Sequence, residues 1–154
     1  RFMLKVLIGY PKKAEERHVV DLALNEHPRQ VKAVLQPAQI MQCQSLTRRI
    51  YMDDKVKDYV LELVTATREP AAYKLDDLKG LIDYGASPRA SIYLCLGAQA
   101  NAFLSGRGFV TPQDVKDVAY DVLRHRIILS YEAEAEERTT EWVVKRILES
   151  VPVP

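Results

Sequence analysis

The sequence predicts a mainly α-helical bundle that starts with a short apolar strand and includes a candidate two-stranded parallel sheet. Most apolar residues recur at the spacing of one helix face, and several of these segments begin at a capping residue followed by proline or an acidic side chain. With 154 residues, of which 47% are hydrophobic and 28% are charged, the chain is long enough to bury the core of one globular domain.

The N-terminal segment has strand composition and is followed by a helix signal. Residues 2–8 are apolar apart from one lysine and are predicted to form a strand. Pro11 then opens a helix to about Leu24, which Asn25 and Pro28 stop.

Two further apolar runs, residues 31–35 and 50–52, are short enough to be strands. A predicted helix from Pro37 to about Arg48 separates them. Because a helical crossover joins parallel neighbours, the two runs are candidates for a small parallel pair.

An amphipathic helix is predicted after Asp53, which is a favoured cap, and Pro70 forbids its continuation. Its predicted inward residues are Val56, Tyr59, Val60, Leu63, Val64 and Thr67. Residues 75–81 are predicted to form one or two helical turns.

Three more helices are predicted in the second half of the chain: residues 89–103, a helix that starts at Thr111 and Pro112, and residues 140–150. The predicted core residues are Ile92, Leu96, Ala100 and Phe103 in the first helix, Val115, Val118, Ala119, Val122 and Leu123 in the second, and Trp142, Val143, Ile147 and Leu148 in the third.

The segment Gly85-Ala86-Ser87-Pro88-Arg89-Ala90 places an arginine in the first turn of a helix. Ser87 is a favoured N-cap and Pro88 suits the first helical position. The helix dipole and the free amides are positive at this end, so Arg89 is unfavourable there unless an anion lies nearby. A phosphate would remove the conflict, with Gly85 allowing close approach and Arg89 offering a planar charged fork. The alternative is an arginine that points into water.

Charge and reactive side chains narrow the classes of function. The net charge of +1 provides no global attraction for nucleic acid or an anionic membrane, and no apolar run is long enough to span a bilayer. Cys43 and Cys95 are far apart and are interpreted as reduced thiols of a cytoplasmic protein. His18, His27 and His125 lack metal-ligand spacing, so no metal site is predicted.

The segment around Arg89 resembles the sensor 2 motif of MoxR-family AAA+ ATPases, and the resemblance covers nearly the whole chain. The other strings that carry it are Arg1-Phe2-Met3-Leu4-Lys5, Gly9-Tyr10-Pro11, Tyr59 to Arg68, Val110 to Val115 and Val122 to Ile127. No Gly-x-x-x-x-Gly-Lys-Ser/Thr phosphate loop and no apolar strand ending in Asp-Glu occurs in the sequence. The chain therefore resembles the C-terminal lid portion of such an ATPase without the nucleotide-binding core.

This resemblance implies both a domain division and an activity. Residues 1–10 would be the terminal strand of the ATPase core, and residues 11–154 the helical lid. The complete protein would bind ATP with magnesium, hydrolyse it in a ring of subunits, and remodel or mature partner protein complexes. The fragment alone is expected to be inactive, because the core would hold most of the nucleotide.

The resemblance also implies roles for individual residues. Arg89 would be the sensor 2 arginine at the terminal phosphates, in a cofactor-binding turn formed with Gly85, Ser87 and Pro88. Arg1 matches the position that the family uses as an arginine finger toward the neighbouring subunit's nucleotide.

A basic cluster, Arg124, His125 and Arg126, leaves further alternatives open. These residues suit the negative end of a helix dipole, and they could equally contact nucleotide or a neighbouring subunit. A competing interpretation is a non-enzymatic helical adaptor that binds protein or nucleic acid through this cluster. The near-zero net charge disfavours a nucleic-acid surface.

Overall fold

The computed structural model of the chain describes residues 2–24 and 31–154. Within these residues the chain is mainly α-helical, which confirms the predicted fold class. The α-helices are α1 (Lys13–Leu24), α2 (Pro37–Thr47), α3 (Asp54–Ala66), α4 (Pro88–Leu104), α5 (Pro112–Leu123), α6 (Tyr131–Ala135) and α7 (Thr140–Ser150). The strands are β1 (Ile82–Tyr84) and β2 (Ile128–Leu129), and single 3-10 turns occupy Pro70–Tyr73 and Asp76–Leu78.

The small sheet differs from the predicted one in both its strands and its direction. Strands β1 and β2 pair antiparallel, with Ile82 opposite Leu129. Residues 31–35 are exposed and do not form a strand, because an apolar run without a buried face has no packing partner. Tyr51, in the other predicted strand, forms only a single parallel bridge with Phe109. The predicted parallel pair is therefore wrong.

The predicted N-terminal strand does not form in the structure of this chain, and its assignment to an ATPase core stays a prediction. Residues 2–8 do not belong to a strand in the structure. The backbone amide of Lys5 instead donates to the carbonyl of Asp121, at 2.8 Å, near the end of α5. A strand needs a neighbouring strand for its backbone groups, and among the described residues this segment finds its partners on a helix end. Helix α1 begins at Lys13, slightly after Pro11, and the predicted stop at Asn25 and Pro28 lies outside the described residues.

The core lies between α3, α4, α5 and α7. The predicted inward face of α3 is confirmed, and Asp53 caps the helix by accepting a hydrogen bond from the Lys55 amide at 2.9 Å. The inward face of α5 is confirmed as well, although Val118 is only partly buried. Neither α1 nor α2 contains a buried residue, so the core is built by the chain from about residue 52 onward.

The predicted core stripe of α4 is wrong. Ile92 and Leu96 are 58% and 39% exposed. The buried residues of this helix are Ala90, Leu94, Gly97, Ala98 and Ala102. A Cβ atom on Gly97 would lie 3.3 Å from Val118 Cγ2, so small residues on this face let α5 approach closely.

Helix α7 buries Val143, Ile147 and Leu148 as predicted. Val144 is also buried, whereas Trp142 is only partly so. The Arg138 guanidinium lies 4.4 Å from the centroid of the Trp142 ring. A cation–π contact at the surface therefore takes the place of the predicted full burial of the indole.

Candidate anion-binding site

The start of α4 has the predicted local structure. Ser87 is the N-cap in an extended conformation and Pro88 is the first helical residue. The Ser87 side chain makes no capping hydrogen bond, so its hydroxyl is not used to neutralise the helix start. Arg89 is exposed, and no acidic residue of the described chain forms an ion pair with it. The electrostatic conflict predicted at this helix end is therefore present.

Gly85 is required by the fold itself. A Cβ atom there would lie 2.4 Å from the carbonyl oxygen of Thr67, just after α3. Thr67 is fully buried, and its hydroxyl donates to the Val64 carbonyl at 2.6 Å and accepts from the Ala86 amide at 2.8 Å. The close approach that Gly85 permits in the structure is thus to its own chain, and its predicted place beside a phosphate stays a prediction.

A second arginine lies beside Arg89. The Arg126 guanidinium is 4.9 Å from the centroid of the Tyr93 ring, and Tyr93 follows Arg89 by one helical turn on the same face of α4. Burial lowers the pKa of Arg126, the Tyr93 side chain opposes this shift, and the positive charge of Arg89 adds to it. Two permanent cations therefore share one face of α4. Sequence reasoning identified both arginines but carried no signal that they are neighbours.

Arg124 connects three parts of the molecule. Its side chain is 10% exposed and forms ion pairs with Asp121 at 2.8 Å and with Glu141 of α7 at 3.2 Å. One guanidinium nitrogen also donates to the backbone carbonyl of Lys5 at 2.8 Å. The N-terminal segment, the end of α5 and the start of α7 therefore meet at this side chain.

His125 and Arg126 both reach the carbonyl of Phe2. The Nε2 atom of His125 lies 3.2 Å from this oxygen, and Arg126 donates a hydrogen bond to it. Together with Arg124, every member of the basic cluster bonds to the backbone of residues 2–5. The cluster thus does more than stabilise the end of α5.

The remaining sequence predictions concern residues away from this face. Arg1, the predicted arginine finger, lies outside the described residues, as does His27. In the part of the chain that the structure describes, no group of three or more histidine, cysteine or acidic side chains is placed to hold a metal ion. None of the described helices is long and apolar enough to cross a membrane. Cys43 and Cys95 are unpaired, and burial raises the pKa of the Cys95 thiol.

Comparison with known proteins identifies the fold family. Residues 78–147, which include α4, α5 and most of α7, match the AAA lid domain. The chain is 38% identical to the chaperone MoxR1 of Mycobacterium tuberculosis over 154 residues, all of this chain and 41% of that protein. It is also 38% identical to the protein MoxR of Paracoccus denitrificans over 107 residues, 64% of this chain and 31% of that protein.

A solved structure agrees with these relatives. The crystal structure of a protein designated an ATPase from Cytophaga hutchinsonii superposes with a TM-score of 0.96 at 39% identity, over all of this chain and 47% of that one. The chain thus spans less than half the length of these relatives. These findings confirm the resemblance that the motifs predict: the chain corresponds to the lid portion of MoxR-family AAA+ ATPases.

Proposed function

We propose that the complete protein is an ATPase that binds ATP with magnesium, hydrolyses it in a ring of subunits, and remodels or matures partner protein complexes. In this chain Arg89 is the sensor 2 arginine at the terminal phosphates, and Arg1 acts toward the neighbouring subunit's nucleotide. The observation that carries the proposal is the exposed Arg89 guanidinium in the first turn of α4, beside Arg126 and without an acidic partner among the described residues. The division at residues 1–10 and 11–154 and a cytoplasmic location belong to the same proposal.

The residues around Arg89 fit a phosphate and do not fit a metal ion. The positive end of the α4 dipole, the Ser87 hydroxyl and the Arg89 guanidinium all favour an anion, and the charge of Arg126 adds to the positive potential of the same helix face. Magnesium prefers carboxylate and other oxygen ligands, and the described residues contain no such cluster. The ATPase core of the same protein would therefore hold the metal and most of the nucleotide.

The proposed role of Arg89 is electrostatic. ATP supplies the phosphoryl group, and a fixed cation stabilises the charge on that group best when the transition state forms. A planar guanidinium can contact two oxygens at once, which an ammonium cannot do. Because Arg89 is part of a core helix, loss of the phosphate charge would change the force on the whole lid, which links hydrolysis to movement.

Replacement of Arg89 in the full-length protein tests this proposal. We expect Arg89→Ala to lower the rate of ATP turnover by about ten- to a thousand-fold, the usual cost of losing one charge-stabilising contact. The melting temperature should be nearly unchanged, because the substitution removes a cation from the unfavourable end of a helix. Arg89→Lys should restore the rate only in part. Steady-state turnover and thermal melting measure both quantities.

The matched control is Arg49→Ala, which removes another exposed arginine without an ion pair among the described residues. It should leave turnover and melting unchanged. If Arg89→Ala hydrolyses ATP at the wild-type rate with unaltered nucleotide affinity, Arg89 is a surface residue and the sensor 2 assignment is wrong.

The helical adaptor is less well supported by the structure. That interpretation needs Arg124, His125 and Arg126 to be available to a partner, yet all three side chains already bond to residues 2–5. Arg124 is in addition only 10% exposed. The ATPase lid is therefore the function that we propose.

A further inference from the structure

We propose that Arg124, His125 and Arg126 position residues 2–5 against the helix that carries Arg89, so that a displacement of this segment is transmitted to the candidate phosphate site. The proposed contacts stand on the structure alone, whereas their effect on ATP turnover rests on the function proposed above. On this view the three residues are positioning residues and do not touch the nucleotide.

The first step is the attachment of the segment to α5. The Lys5 amide donates to the Asp121 carbonyl at 2.8 Å, and the Lys5 carbonyl accepts from Arg124 at the same distance. Both bonds involve the backbone of Lys5, so they hold the path of the chain whatever side chain it carries. Arg124 is in turn held by Asp121 and Glu141, which makes the attachment point part of the α5–α7 packing.

The second step connects the segment to α4. Arg126 donates to the Phe2 carbonyl while its guanidinium lies over the Tyr93 ring. Tyr93 and Arg89 are one turn apart on a helix whose other face is buried in the core. A helix of this length moves as a rigid body. A shift of residues 2–5 that displaces Arg126 therefore also displaces Tyr93, and with it the turn that carries Arg89.

The third step is that this arrangement of polar and charged groups lowers the stability of the fold. The Nε atom of Arg126 and the Nδ1 atom of His125 are buried without a hydrogen-bond partner among the described residues. Burial lowers the pKa of Arg126, and the like charge of Arg89 adds to this shift. Unsatisfied buried polar groups and unneutralised charges reduce stability, so stabilisation of the fold does not explain why they occur together at one corner.

Helix-dipole stabilisation does not account for the whole cluster. Arg124 satisfies that explanation, because it lies at the C-terminal end of α5 and pairs with Asp121. His125 and Arg126 instead reach to Phe2, and Arg126 reaches on to α4. The contacts of these two side chains are expected if the cluster connects the N-terminal segment to α4, and they are not expected if the cluster only caps α5.

The test uses the full-length protein with Arg126→Gln, Arg126→Lys and the control Arg138→Gln. Arg138 also stacks on an aromatic ring, that of Trp142, and has no hydrogen bond or ion pair to residues 2–5. Hydrogen exchange of the Lys5 amide without nucleotide reports the attachment, and kcat and KM for ATP report its consequence. We expect Arg126→Gln to speed exchange by about fivefold, the value of one hydrogen bond. It should lower kcat by about ten- to a hundred-fold with KM little changed, because mispositioning acts on the chemical step.

Arg126→Lys should restore part of both effects, and Arg138→Gln should change neither. If Lys5 exchange is unchanged in Arg126→Gln, the attachment is wrong; if exchange rises while kcat stays at the wild-type value, the transmission is wrong. If Arg126→Gln does not fold, His125→Ala replaces it, because this variant removes the other contact to the Phe2 carbonyl. The same two measurements then decide between the same outcomes. A normal rate in Arg89→Ala would overturn the proposed function separately, because the exchange result does not depend on ATP.

Discussion

Gly85 and Arg89 lie in one short turn, yet different forces explain them. Gly85 is needed because the chain passes within van der Waals contact of the Thr67 backbone, whether or not a ligand binds. Arg89 has no comparable structural reason, since it is exposed at the end of a helix dipole that repels it. A single motif therefore contains one residue that folding explains and one for which we propose a bound anion.

Replacement of Gly85 provides a test at the residue scale. Gly85→Ala should lower the stability of the chain by about 1–3 kcal/mol, because the new methyl group would meet backbone atoms of Thr67 that cannot rotate away. Gly108→Ala is the control, since a Cβ atom at Gly108 has no neighbour within 4 Å. Urea unfolding measures both changes. Equal stability of the two variants would show that the turn relaxes at no cost.

At the scale of elements, a buried carboxylate holds the start of α5 to the end of α4. Asp114 is 1% exposed, and its carboxylate accepts hydrogen bonds from the Thr111 amide at 2.8 Å and the Thr111 hydroxyl at 2.7 Å. Arg107, which follows α4, donates to it through both terminal guanidinium nitrogens, and the Asn101 side-chain amide donates to it at 3.0 Å. Asp114 thus completes the capping box of α5 and also links the start of this helix to Arg107 and Asn101.

This link makes stability depend on pH. Burial alone would raise the pKa of Asp114, but the hydrogen bonds from Arg107 and Thr111 outweigh it and hold the pKa well below its usual range. The contribution to stability is therefore complete above the unfolded pKa of about 3.9 and is lost as the pH falls toward the folded pKa. Asp114→Asn should cost about 1–3 kcal/mol at pH 7, with the difference from wild type narrowing below about pH 4.

Chemical unfolding at several pH values checks this expectation. Asp58→Asn, on the exposed face of α3, is the control and should change stability little at any pH. A constant difference between wild type and Asp114→Asn from pH 7 down to pH 3 would contradict the ionised state of Asp114 as the source of the effect.

At the scale of the whole molecule, the described residues form a hydrophobic core but supply only part of the nucleotide site proposed above. Arg89 is exposed in the first turn of α4, whereas the side chains of the Arg124–Arg126 cluster bond to residues 2–5, and the described residues hold no metal-binding cluster. We expect the 154-residue chain alone to show negligible ATP hydrolysis and only weak binding of magnesium nucleotide. Isothermal titration calorimetry measures the binding, with Arg89→Ala as the control for specific contact. Robust stoichiometric binding by the isolated chain would show that the site is misplaced.

Local chemistry in the sequence determined most helices of this protein. Asp53, Pro88 and Thr111 mark helix starts, and one-face periodicity identified the buried sides of α3 and α5, because caps and periodicity act between residues close in sequence. The position of Arg89 in the first turn of α4 was predicted for the same reason, because Ser87 and Pro88 mark that turn. The family motifs, in order, also predicted the lid assignment that the comparisons confirm.

Only the tertiary structure decided features that depend on distant contacts. Small residues such as Gly97 became the buried face of α4 because α5 approaches closely there, which overrides hydrophobic periodicity. Residues 2–8 have strand composition but find their hydrogen-bond partners at the end of α5. Arg126 lies beside Arg89 because packing brings the end of α5 to the face of α4. Each of these outcomes joins residues that local propensity cannot relate, so no reading of separate segments could supply it.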